Sequence, residues 1–340
     1  MKLRKSTNKK SNSKKSSNKL VDWVRSHRLV VPIAFIIVFG GIGVWQLTGS
    51  KASTITSINN ASMSDVNAEY WAKWGGNVGI TSNWNGSISG CKAGSISTSA
   101  VYAQVQAVNF ARRLNDLEPI QPAVLDGPNQ AKAQKAALMM AANNALSHDP
   151  PTSWKCYTSD GATAAGYSDL ALAYPSIKPT QAVELYMDDK GDSNVGVGHR
   201  RWLLEPDRKV LAFGMTDTSS ALTVIGLPTD STNYDPVWVT WPSKGYFPTP
   251  IEPGGRWSAS THAGAYLSKA TVTVTHNGVK QAITLYPLHT GYGRPTLVWQ
   301  MPSGFPLTGK YIVTIHGAHN SAGETMADYT YGVNFFDPYK

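Results

Sequence analysis

Apolar residues recur at Val101, Val105, Val108, Ala111 and Leu114, a three-to-four spacing that lines one face of a helix. Asp126-Gly127-Pro128-Asn129 then supplies a break and a start for a second helix over 130–146, rich in alanine and methionine. Pro150-Pro151 forbids its continuation. A third helix is predicted after Thr180, with Val183 and Tyr186 on its buried side. After Gly198 the pattern turns to extended runs at 200–204, 210–213 and 222–225. From Pro236 onward alternation dominates, at 237–241 and more strictly at 271–275. Asn277-Gly278 marks a tight hairpin into 281–285, and further strands are predicted at 296–300, 311–315 and 329–336. The chain therefore reads as α+β over residues 100–230, followed by an all-β immunoglobulin-like sandwich over 235–340. The boundary falls at 228–236, where Pro228 and Pro236 bracket a polar run. Residues 49–99, rich in Ser, Thr, Asn and Gly, read as a stalk or loosely packed lead-in.

One apolar run fits neither domain. Residues 29–47 carry no charge over 19 positions, which as a helix spans roughly 28 Å, the thickness of a bilayer core. Trp23 and Trp45 flank it where indole rings favour the interface. The 340-residue chain has 31 Lys+Arg against 22 Asp+Glu, a net charge of +9. Ten of those cations and a single acid lie in residues 1–28, so the remainder is electrically neutral. A neutral body excludes a nucleic-acid groove, which needs cations clustered on a folded face. A basic tail before an apolar span instead predicts a cytoplasmic N-terminus (1–28), a transmembrane signal anchor (29–48) and an extracellular portion (49–340). A cleaved signal peptide is the competing reading, although its apolar region is shorter and ends in a clearer cleavage site.

Cys91 and Cys156 are the only cysteines, and both fall on the exported side. An even pair in an oxidising compartment reads as a disulfide, with two independent buried thiols as the alternative.

The candidate chemistry centres on two histidines. His148 closes Ala145-Leu146-Ser147-His148, and His199 lies in Val195-Gly196-Val197-Gly198-His199-Arg200-Arg201-Trp202 at a predicted strand entrance. Around them stand Asn109-Phe110-Ala111-Arg112-Arg113-Leu114, Leu117-Glu118-Pro119-Ile120, Ser168-Asp169-Leu170-Ala171 and Ala182-Val183-Glu184-Leu185-Tyr186-Met187-Asp188. In this order they resemble the CAP superfamily of cysteine-rich secretory, antigen 5 and pathogenesis-related proteins, in its bacterial, membrane-anchored form. The resemblance implies an α-β-α sandwich with a cleft holding two histidines and two acids. It assigns His148 and His199 to the histidines and Asp188 to the second acid. Ser168 falls where the first glutamate is expected, in a motif normally read Glu-Asn-Leu/Ile-Ala. This departure removes one anionic ligand, and Asp169 beside it is expected to point elsewhere. Two imidazoles and a carboxylate can still hold zinc or another divalent cation, with His148, His199 and Asp188 as ligands. Without the resemblance, the histidines read as satisfied structural imidazoles near a helix end and a strand start.

Other signals carry less. Gly191-Asp192-Ser193 looks like a hydrolase nucleophile block but sits in a polar loop. Arg200 and Arg201 read as a solvated pair. Trp238, Trp241, Trp257, Trp299, Tyr246 and Phe247 suit either carbohydrate stacking or a sandwich core, and the core is the plainer use. His262, His276, His289, His316 and His319 show no ligand spacing and read as surface or turn residues. Two functions follow. One is a non-enzymatic, surface-anchored CAP protein that binds a lipid, a glycan or another protein. The other is an extracellular metal-dependent hydrolase using His148, His199 and Asp188.

Overall fold

The computed structural model describes residues 58–340. The basic tail and the apolar run at 29–47 lie outside them, and no helix among the described residues is long and apolar enough to cross a membrane.

Local start and stop signals set the helices. Helix α1 (Met63–Lys73) opens on Ser62, whose hydroxyl accepts the Asp65 N–H at 3.3 Å. Helix α2 (Thr98–Arg113) opens on Ser97, which caps the Ala100 N–H at 3.2 Å. Helix α3 (Pro128–Asn143) starts on a proline, which needs no N–H there, and ends on Asn144 in the left-handed region. The sequence pattern carried this helix on to residue 146, so His148 lies further beyond its end than expected. Helices α4 (Ser159–Gly166) and α5 (Pro179–Asp188) follow, α5 ending on left-handed Asp189. The expected extended run at 200–204 is instead a short helix, α6 (Gly198–Leu203). Adjacent residues on a helix diverge by about 100°, and this lets Arg200 and Arg201 reach different neighbours.

Strands β1 (Gln121–Pro122), β2 (Ser168–Leu172), β3 (Val210–Met215) and β4 (Ser219–Thr223) form a sheet in the order β1-β3-β4-β2, antiparallel except for β1 with β3. Strand alternation sorts its side chains into two cores. Leu211, Phe213, Met215 and Leu222 join the main core with Val108, Phe110 and Val183 of α2 and α5. Ala212, Leu170 and Ala221 face the other way, onto α3 and α4. Three layers result, helix on sheet on helix. Gln130 and Gln134 of α3 clamp the sheet, each side chain bonding both the N–H and the carbonyl of one strand residue, Phe213 and Met215 respectively.

The all-β part contains β5 (Trp238–Trp241), β6 (Gly245–Pro248), β7 (Arg256–Thr261), β8 (Thr271–His276), β9 (Val279–Lys280), β10 (Thr284–Leu285), β11 (Thr296–Gln300), β12 (Lys310–His316) and β13 (Tyr329–Phe336). They make two sheets, β10-β11-β7-β5 and β6-β13-β12-β8-β9. The hairpin at Asn277-Gly278 has positive φ at both residues, 48° and 85°, as a tight turn requires. It joins β8 to β9 at 279–280, ahead of the expected run at 281–285, of which only 284–285 form a strand. Trp241, Trp257, Trp299, Phe247 and Tyr311 are buried, which settles these aromatics as core.

The run at 229–233 lies between β4 and β5, where the layered part gives way to the all-β part. The hydrophobic core is nevertheless continuous across it, and the described residues form one compact unit. Asn115 accepts the Thr240 N–H at 2.9 Å, and Arg200 donates to the Arg256 carbonyl and the Ser258 hydroxyl, each at 2.9 Å. Residues 58–99, expected as stalk, contribute Val66, Tyr70 and Trp74 to the same core. A disulfide joins Cys91 to Cys156, with 5.0 Å between the Cα atoms.

Candidate functional site

A cleft of about 390 Å³ opens between the start of β2, the start of α6 and the loop at 288–295. His148, Ser168, Asp169 and His199 line it. Asp188 does not: its carboxylate is buried beside Lys190, 2.6 Å away. The acid that serves His199 is the next residue. Asp189 Oδ1 lies 2.6 Å from His199 Nδ1, and Oδ2 accepts the Arg200 N–H at 3.0 Å. The left-handed turn at Asp189 and the α6 N-terminus bring these groups together, and neither was visible as a strand entrance.

Asp169 also departs from expectation. Alternation along β2 turns Ser168 toward α4, where its hydroxyl donates to the Ala164 carbonyl at 2.6 Å and meets Thr223 Oγ1 at 2.9 Å. Asp169 therefore faces the opposite side, toward His199. It is 2 % exposed, and its Oδ2 has no hydrogen-bond partner. Burial holds this carboxyl well above the usual carboxylate range, the Asp189 charge adds to the shift, and only the neighbouring His199 opposes it. Burial alone would lower His199, but the Asp189 hydrogen bond and the Asp169 and Asp189 charges outweigh it and raise the imidazole to about 9. Of the two acids, Asp189 makes the direct contact with the imidazole.

His148 is exposed, and its Nδ1 lies 2.9 Å from the Ala165 carbonyl. Both histidines are bonded through Nδ1, Asp188 is turned to Lys190, and among the described residues no group of three or more His, Cys, Asp or Glu could hold a metal ion. Arg200 and Arg201, expected in solvent, are buried. Arg200 donates to the carbonyls of Met187 and Asp188, and Arg201 to those of Gly196, His289 and Arg294. Burial lowers both guanidiniums to about 10, still charged at neutral pH.

The family follows from this frame. Residues 105–225 match the model described as CAP, the cysteine-rich secretory protein family. This segment is a CAP domain. A CAP domain is, in general terms, a binding module of extracellular type. No curated protein matches the chain. Among solved structures it is similar to PcoC, a methionine-rich copper resistance protein from Escherichia coli, at 14 % identity and a TM-score of 0.23. That similarity covers 28 % of this chain and 93 % of PcoC, and it carries no argument. Beyond the residues the CAP resemblance singled out, the cleft of this CAP domain is lined by Tyr167, Trp202, His289 and Tyr292. Tyr167 and Tyr292 are 47 % and 41 % exposed. Sequence reasoning passed over Tyr167 and Tyr292, quoted Trp202 only within the His199 segment, and read His289 as a surface or turn residue. His289 and Tyr292 arrive from the all-β part, some ninety residues beyond α6, and no spacing rule links them to it.

Proposed function

We propose that the chain is a membrane-anchored extracellular binding protein whose CAP cleft takes a neutral amino-sugar glycan. The observation that carries the reading is Asp169, a buried carboxyl whose Oδ2 has no protein partner. Buried polar groups are ordinarily hydrogen-bonded, so one left open in a cleft is a ligand handle. Burial favours its protonated form, which can donate to an acetamido carbonyl and accept from a hydroxyl. Val224 and Ile225 in the same cleft suit the acetamido methyl, and the exposed rings of Tyr167 and Tyr292 suit the apolar face of a sugar. The uncharged run at 29–47 behind ten cations supports the anchor and the outside location of the cleft. The hydrolase alternative loses support because its three metal ligands are not assembled.

Isothermal titration of the full chain in detergent with the tetramer of N-acetylglucosamine tests the reading. Wild type is expected to bind, and Asp169→Ala to bind at least about tenfold more weakly, the cost of roughly one lost hydrogen bond to a buried group. Equal affinities in the two proteins would reject Asp169 as the handle, and no binding by wild type would reject the glycan.

A further inference from the structure

Gly196 and Gly198 are the part of the Val195–Trp202 motif that the cleft chemistry leaves unexplained. Neither has a positive φ, so backbone freedom is not their role. Space is. A Cβ on Gly196 would stand 2.8 Å from His289 Cβ, and one on Gly198 would stand 2.7 Å from Tyr292 Cδ1. Real Cβ contacts are not made at such distances. The two glycines are seats cut into the CAP domain for two side chains of the all-β part.

The loop carrying those side chains is held from below by the same motif. Arg201, 5 % exposed, donates to the His289 carbonyl at 3.0 Å and to the Arg294 carbonyl, and its guanidinium lies 5.6 Å from the Tyr292 ring centroid. Arg294 in turn pairs with Glu205, just past α6, at 2.7 Å, and with Asp235. A buried cation spanning two loop carbonyls fixes the loop in one place, because unpairing it would leave a charge without hydrogen bonds. The chain is clamped on either side of Tyr292, at His289 and Arg294, while Tyr292 itself stays 41 % exposed.

We infer that the ligand site is composite: the loop at 288–295 supplies a binding wall to the CAP cleft, with Tyr292 as the stacking surface and His289 as a polar contact. This rests on the glycan reading and extends it by assigning sugar-ring recognition to the all-β part. The CAP domain provides the acid, the all-β part the platform, and Arg201 acts as a positioning residue between them. A glycan ring lying on Tyr292 uses the face of the phenol and not its hydroxyl.

The test is titration of the full chain in detergent with the N-acetylglucosamine tetramer. Tyr292→Ala is expected to weaken binding about tenfold, and Tyr292→Phe to stay within about twofold of wild type. Gly198→Ala alters no cleft side chain but displaces the Tyr292 ring, and is expected to weaken binding as Tyr292→Ala does. Tyr292 is an exposed loop residue, so its variants retain the fold. Loss of binding in Asp169→Ala with wild-type affinity in both Tyr292→Ala and Gly198→Ala would overturn the composite site while leaving the glycan reading intact. No binding by wild type would overturn both.

Discussion

His199 and Asp169 decide the character of the cleft, and both do so through burial against a specific partner. A folded imidazole that keeps its proton to about 9, against an ordinary 6.5, binds that proton more tightly than the unfolded chain does. Its contribution to stability is therefore complete below about pH 6.5 and is lost as pH rises through 9. The amount is on the order of 2 kcal/mol. Asp169 acts in the same direction at lower pH, since a carboxyl with a raised folded pKa costs stability once the unfolded chain ionises. Thermal melts of wild type should fall between pH 6.5 and 9, and the fall should shrink in Asp189→Asn. Histidine NMR should show the His199 midpoint dropping toward its ordinary value in that variant, and an unchanged midpoint would mean that Asp189 does not hold the proton. The sequence motif located His199 but chose the wrong acid. Asp188 and Asp189 are adjacent, and only the left-handed turn at Asp189 determines which of them reaches His199.

Elements with a local cause were legible, and those with a distant cause were not. Strands β11 and β13 have the bounds the sequence predicted, β13 mostly alternating between a buried and a more open face and β11 buried on both. Helix α3 ended early because Asn144 turns left-handed, which an alanine-rich pattern does not reveal. Helix α6 escaped notice because a run of mixed apolar and basic residues has no period, and its arginines are satisfied by carbonyls far along the chain. The disulfide was legible from the cysteine count. It ties the loop at 83–95 to the segment before α4, closing a separation of 65 residues. Cys91→Ser/Cys156→Ser should lower stability in urea by about 4 kcal/mol under the chain-entropy model. No loss of stability would mean that the unfolded chain is already restrained there.

At the scale of the molecule, two patterns read as separate domains share one core and one cleft. Trp241, Trp257 and Trp299 are continuous with Phe110 and Phe213 through buried contacts that no local pattern encodes. The uncharged run proposed as an anchor lies outside the described residues. Protease added to intact cells should digest the portion from residue 49 onward and leave a small basic fragment inside, whereas a soluble mature protein starting near Ser50 would show that the apolar run is cleaved. The most direct test of the account is photo-affinity labelling of the full chain with an N-acetylglucosamine tetramer carrying a diazirine, read by peptide mass spectrometry. Labels are expected on the peptides holding Tyr167, Trp202 and Tyr292, and to vanish with excess unlabelled tetramer. Competed labelling confined to the second cavity, at Asn83, Ser95 and Asp126, or to the outer faces of the β-sheets, would contradict it.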